Sequence, residues 1–341
     1  MTNTTETPQV SLDTFFETAH AFHRTAALKA AVELDVFTAI GEGADTADAL
    51  AQRCKASERG TRILCDYLTV IGFLTKTGNR FALTQDSAIF LDKRSPGYVG
   101  AALEFLLAPT QTDAFRDLAA VVRKGGTIMS DDEGVVAPDH PVWIKFARAM
   151  APLMALPAES LANLLVGGSG EKWKVLDIAA GHGLYGIAVA KQNRNANVFA
   201  VDWEGVLTVA EENAFAAGVT DRYHIIPGSA FTVDYGTDYD LALLTNFLHH
   251  FDAATCQKLL VKVYAALKPG GRAAILEFIP DEDRISPPVP AQFTLMMLAS
   301  TPHGDAYTFS QYEGILREVG FVESHLHPVP PTYFRAVIAV K

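Results

Sequence analysis

The stretch KVLDIAAGHGLYGIAVAKQ, residues 174–192, decides the fold. Its first six residues form a short apolar run of the kind buried in a parallel sheet, and the tail reads as a helix. Between them Ala179, Gly181 and Gly183 are small, so a ligand can approach the backbone closely and the turn can adopt positive φ. In open α/β sheets the ligand crevice lies at the carboxyl end of the strands, where this turn stands. From Gly181 the string GHGLYG also satisfies G-x-G-x-x-G, and Asp202 ends the next apolar run, NVFAVD, about 20 residues on. An acid there can accept hydrogen bonds from ribose hydroxyls. These features alone fit NAD as well as S-adenosylmethionine.

Working outward, YHIIPG (223–228), DLALLT (240–245) and RAAILEF (272–278) read as further strands. EGVLTVAEENAFAAG, AATCQKLLVKVYAAL and SQYEGILREVG read as helices between or after them. Apolar strands alternating with helices predict a parallel sheet covered on both faces. Three features separate the two ligands. Asp177 stands inside the motif before the glycines, where a cationic amino-acid ligand would be organised. LKPGG (267–271) makes a tight stop before RAAILEF. The chain closes with a helix and a β-hairpin, FVESHLHPVPPTYFRAVIAVK. Together these residues resemble the class I S-adenosylmethionine-dependent methyltransferases. The resemblance implies a Rossmann-like α/β fold with a seven-stranded sheet whose last strand is antiparallel.

A second motif, NFLHHFD (246–252), follows DLALLT directly and brings two histidines to the same crevice. A histidine suits proton abstraction at neutral pH because its ordinary pKa is about 6.5. Adjacent residues point in different directions, so one of His249 and His250 is expected to serve as base. LHHFD followed by AATCQKLL is similar to the corresponding stretch of the small-molecule O-methyltransferases of the caffeate and hydroxyindole type. That resemblance covers nearly the whole chain. It implies His249 as catalytic base and Glu277, ending RAAILEF, as its flanking carboxylate. It places a second carboxylate on Ala306, where none exists, with Asp305 adjacent but aimed elsewhere. His250 stands where the family is usually acidic, and Phe251 where it has Trp. Ser229 replaces the usual Asp in the adenine pocket, and is expected to line it with Ala230 and Phe231. Trp203 is expected against the adenine. The cofactor set is therefore Asp177, Ala179, Gly181, Gly183, Asp202, Trp203, Ser229, Ala230, Phe231 and Asn246. Phe293, Met296 and Met297 match the family's substrate-lining positions. Phe146, Met150 and Met154 recur every four residues and can line the same cavity or a subunit interface.

The expected reaction is methyl transfer from S-adenosylmethionine to a hydroxyl of a small molecule, with a phenol favoured, leaving S-adenosylhomocysteine. Secondary or natural-product metabolism is the expected setting. Nitrogen, sulfur or carbon acceptors on the same fold stay open. An NAD-dependent oxidoreductase and a winged-helix DNA-binding regulator are the competing classes. The regulator idea comes from the first hundred residues: Thr46 and Ser57 cap short helices, and LTKTGNRFALT forms a hairpin turning at Gly78-Asn79, a winged-helix order. Against it, residues 1–105 hold 10 Lys+Arg and 13 Asp+Glu, and the whole chain carries a net charge of −11. DNA-binding domains are usually basic. The same balance disfavours an anionic membrane surface.

The expected organisation is a winged-helix dimerisation domain over 1–105, a helical connector over 106–165 broken by GlyGly125–126 and by Pro138, Pro141, Pro152 and Pro157, and a catalytic domain over 166–341, opened by the linker VGGSGEK. A homodimer through the N-terminal domain is implied by the resemblance. Three cysteines without a CxxC fit a reducing compartment. The polar start MTNTTETPQV lacks signal-peptide features, and no uninterrupted apolar run reaches about 18 residues. A cytoplasmic protein is expected. The histidines form no HxxxH and no acidic cluster, so no metal is expected.

Overall fold

A computed structural model describes residues 11–129, 141–167 and 170–341. The chain divides into two compact units with the boundary between Leu103 and Glu104. In the first, Thr46 accepts from the Ala49 N–H at 3.3 Å and Ser57 from the Gly60 N–H at 3.1 Å, starting helices Ala47–Arg53 and Glu58–Val70. Each hydroxyl satisfies a donor the helix start would leave bare. Strands β1 (Leu74–Thr77) and β2 (Arg80–Leu83) pair antiparallel around Gly78-Asn79, with Gly78 at φ 62°. Phe37, Ile40, Leu50, Cys65, Leu68, Leu74 and Phe81 form the core of this unit. Arg53, ending the first of these helices, is paired with Glu42, and Arg62, on the second, with Asp66, so both cations already have acidic partners in this unit.

The second unit is built on strands β3 (Trp173–Ile178), β4 (Ala196–Asp202), β5 (Tyr223–Pro227), β6 (Tyr239–Thr245), β7 (Leu267–Glu277), β8 (Glu323–Pro328) and β9 (Arg335–Val340). Their order across the sheet is β5-β4-β3-β6-β7-β9-β8. The first five are parallel, and β9 runs antiparallel to both neighbours. Side chains alternate between the faces. Val175, Val198, Leu241 and Leu243 pack under helices Leu184–Gln192 and Glu204–Ala216. Leu176, Ile178, Leu244 and Ile275 pack under Ala253–Ala266 and Phe309–Val319. Reversal of strand order between β3 and β6 opens a crevice at their carboxyl ends, where both motifs lie.

Two expectations need correction. The prolines at 152 and 157 do not interrupt the helical layer. A single helix runs Val142–Val166, and Pro157 is buried within it. Its Ala158, Leu161, Ala162 and Leu165 belong to the sheet core, which makes this helix part of the second unit rather than a connector over 106–165. Burial of that apolar stripe offsets the two missing N–H donors. Pro138, the first ten residues and part of VGGSGEK lie outside the described residues. LKPGG, expected to stop before the strand, is drawn into β7. Leu267 pairs with Tyr239 and Arg272 with Leu241, so residues 268–271 bulge out opposite Asp240. Among the described residues, Val142–Val166 is the one helix long and apolar enough to cross a membrane, and 33% of its most apolar window is buried in the protein.

Candidate active site

The turn after β3 is held by two acids. Asp202, at the end of β4, accepts from the Gly181 N–H at 2.8 Å with one oxygen and from the Trp203 N–H at 2.7 Å with the other. Burial pushes its carboxyl up to about 6, although both N–H bonds pull the other way. Asp177 is fully buried beneath the turn. Its Oδ2 accepts from the Gly186 N–H at 3.1 Å, and its Oδ1 has no partner. Desolvation drives this carboxyl up to about 7, helped by the nearby Asp202 charge. A Cβ on Gly186 would sit 2.7 Å from Asp177 Oδ2, so the helix can approach the acid this closely only with glycine. Ala179 and Gly181 have φ of 53° and 57°, and the space in front of Gly181 is open. In the same turn His182 Nδ1 accepts from the Leu184 N–H at 3.2 Å, capping the helix, and burial holds this imidazole down near 4.

The other half of the site hangs between β6 and β7. Glu277 ends β7 with 1% exposure. Its Oε1 accepts from the N–H groups of Phe247 at 2.8 Å, Leu248 at 3.0 Å and His249 at 3.4 Å. Its Oε2 lies 2.6 Å from His249 Nδ1. An ionised carboxylate only accepts, so Nδ1 carries the proton and Nε2 presents a lone pair. Phe293 meets the His249 ring edge-on, 4.8 Å between centroids, and stacks on Phe278 at 4.1 Å. From below, the Asp305 N–H donates to the His249 carbonyl at 3.0 Å, and a Cβ on Gly304 would fall 2.3 Å from that same oxygen. The Asp305 carboxylate is engaged by Arg284 at 2.7 Å, and Ala306 is buried. Within the described contacts His249 therefore has one carboxylate partner.

Between the halves lies a cavity of about 250 Å³. Ala179, Gly181, Asp202, Trp203, Ser229, Ala230, Phe231, Asn246 and Phe146 line it. Asp177 and Gly183 do not. Asp177 faces the helix side of β3, and a Cβ on Gly183 would fall 2.5 Å from the Tyr223 hydroxyl. Both support the turn from behind. Met150, Met296 and Met297 are also absent from this lining, and Met297 is 4% exposed. Their helical spacing turns part of that side chain set into the core. Of the two histidines, His250 lines the cavity; His249 is beside it, ring centroids 4.3 Å apart, and is not itself in the lining. His250 Nδ1 has no partner, and burial together with the neighbouring His249 drives this imidazole far below its ordinary value.

Sequence reasoning missed Trp143, which lines the cavity and meets His250 edge-on at 6.0 Å. Its spacing of three from Phe146 on an apolar helix was the available signal. It also missed Phe247, Phe251 and Val206 in the lining, and Tyr185, whose hydroxyl holds Asn246.

Residues 115–322 match the model of the O-methyltransferase domain, and residues 16–93 that of the O-methyltransferase dimerisation domain. Among curated proteins, the chain is 28% identical to the 3-hydroxy-5-methyl-1-naphthoate 3-O-methyltransferase of Streptomyces sahachiroi, over 88% of this chain and 86% of that one. Among solved structures, a candidate O-methyltransferase of Nostoc punctiforme is 54% identical, with a TM-score of 0.92 over 98% of this chain and 100% of that one. Human N-acetylserotonin methyltransferase, solved with S-adenosylmethionine, shares the fold at 22% identity and a TM-score of 0.85, over 100% and 99% of the two chains.

Proposed function

The chain belongs to the S-adenosylmethionine-dependent O-methyltransferase family, and from that premise we propose that it methylates a hydroxyl of a small aromatic molecule with His249 as general base. The observation that carries the reading is the His249–Glu277 pair, 2.6 Å between Nδ1 and Oε2, beside a cavity rimmed by the β3 turn and Asp202. The cavity fits the cofactor. Asp202 sits at the β4 end where ribose hydroxyls would lie, Trp203 and Ser229–Phe231 line the adenine side, and Asn246 Oδ1 is a buried acceptor without a donor. When bound, the cofactor supplies a methyl group already activated by a positive sulfur.

A phenol has a pKa near 10, so it needs a base as it attacks. His249 Nε2 takes the hydroxyl proton, and the Glu277 carboxylate stabilises the imidazolium that results. Burial and the neighbouring His249 disfavour a proton on His250, which suits it to be a neutral wall of the cavity. The aromatic side chains Trp143 and Phe146 offer flat apolar surfaces to the cavity that suit an aromatic acceptor, whereas Phe293, expected at the substrate, lies outside the lining and packs on His249. Relatives named for a naphthoate and for tetracenomycin polyketide synthesis favour an acceptor from natural-product metabolism. Transfer of labelled methyl to a panel of phenols, alongside calorimetry with S-adenosylhomocysteine, tests the reading. Binding with no phenol turned over would move the acceptor to nitrogen, sulfur or carbon.

The dimerisation-domain match supports a homodimer. So does the N-terminal face, where Leu12, Phe15, Phe16 and Phe22 are at least half exposed. A monomer mass in sedimentation equilibrium would refute it. Three unpaired cysteines fit a cytoplasmic location.

A further inference from the structure

The sheet order works as a ruler for an extended ligand. Gly228 follows β5, Asp202 ends β4, Gly181 follows β3 and Asn246 follows β6, and all four line one cavity. With adenine and ribose at the β5 and β4 ends, the amino-acid tail of the cofactor reaches the β3 and β6 ends. This step rests on the function proposed above. Asn246 is held there in a left-handed conformation, φ 53°, with its N–H donating to the Leu276 carbonyl at 2.8 Å. Its amide has two edges, a donor and an acceptor, and which edge faces the ligand matters to a cationic tail.

Tyr185 settles the choice. It is 3% exposed, on helix Leu184–Gln192. Its hydroxyl lies 3.4 Å from the Met154 sulfur on helix Val142–Val166. A thioether has no hydrogen, so the hydroxyl donates to it and retains only lone pairs for Asn246. The Asn246 Nδ2 therefore donates to Tyr185, at 3.2 Å, and Oδ1 is turned the other way, buried and without a partner. Reversing the amide would set Oδ1 against the Tyr185 lone pairs. We propose that Met154 and Tyr185 are positioning residues that fix the Asn246 amide so that its oxygen accepts from the ammonium group of the cofactor tail. No charge is needed at this position on the protein side.

Calorimetry on the full-length protein separates this role from a structural one by using two ligands. S-adenosylhomocysteine carries the amino-acid tail, and 5′-methylthioadenosine has the same adenosine and thioether without it. Tyr185→Phe should weaken S-adenosylhomocysteine about tenfold, the scale of one charge-assisted hydrogen bond, and leave methylthioadenosine within about twofold. Met154→Leu keeps the volume but frees the hydroxyl to donate to Oδ1, and should give the same selective loss, smaller in size. Equal weakening of both ligands, or no loss for S-adenosylhomocysteine, overturns the inference. If the unaltered protein binds neither ligand, the methyltransferase reading itself falls and takes the inference with it.

Discussion

The two halves of the site lie along one sheet edge and treat their polar groups differently. At the β6–β7 end every oxygen of Glu277 is engaged, three backbone N–H groups on one and His249 on the other. At the β3–β4 end two carboxyls are pushed up by burial and Asp177 Oδ1 stands without a donor, as does Asn246 Oδ1 just after β6. The His249–Glu277 pair is complete before any ligand arrives. Asn246 Oδ1 borders the cavity and lacks a donor that a ligand with an ammonium group would supply, whereas Asp177 faces away from the cavity. A buried acceptor without a donor costs free energy, so a ligand that donates to Asn246 Oδ1 relieves that cost on binding.

The strongest way to break this contrast is His249→Gln. Turnover should fall about 10²- to 10⁴-fold while S-adenosylhomocysteine binds as before, measured by steady-state kinetics and calorimetry. Unchanged turnover at neutral pH would reduce the reaction side to positioning alone. Glu277→Gln is gentler, because the amide oxygen can still accept from Phe247 and Leu248. It loses the charge that stabilises the imidazolium, and turnover should fall about 10- to 100-fold. A loss under about twofold would make Glu277 merely a cap for the turn.

The smallest effect sharpens the cofactor side through pH. The Asp177 and Asp202 carboxyls stand at about 7 and about 6 in the fold, above their ordinary value in the unfolded chain. Over the interval between those values the folded state holds protons that the unfolded state has released. Stability of the ligand-free protein from these groups must then fall as pH rises from about 4 to about 7. Thermal melts across that range should show the decline, and Asp177→Asn should flatten most of it. A stability curve that rises instead would place these acids in a more polar setting than their burial indicates.

Much of this was legible before the structure, and the reasons for the misses are physical. The β3 turn, Asp202 and His249–Glu277 are read from residues whose neighbours in sequence are also their context: strand, then turn, then helix. The Val142–Val166 helix is different. Its two prolines are a local signal against a helix, and only burial of Ala158–Leu165 on the sheet overrides them. Trp143 meets His250 across more than a hundred residues of chain, a distance that no spacing rule covers. Met150, Met296 and Met297 show the converse: a helical stripe tells which side chains share a face, not whether that face meets a ligand or the core. Asp177 shows that an acid in a ligand motif can serve the turn rather than the ligand.

The grip of Glu277 on the turn after β6 has a consequence for how the enzyme fails. Three consecutive N–H groups, ending at His249, are tied to the last residue of the neighbouring strand. His249 is thus the final rung of the β6–β7 ladder rather than a passenger on a loop. It cannot loosen ahead of the sheet, so heat inactivation and global unfolding should follow one curve, without an inactive folded form in between.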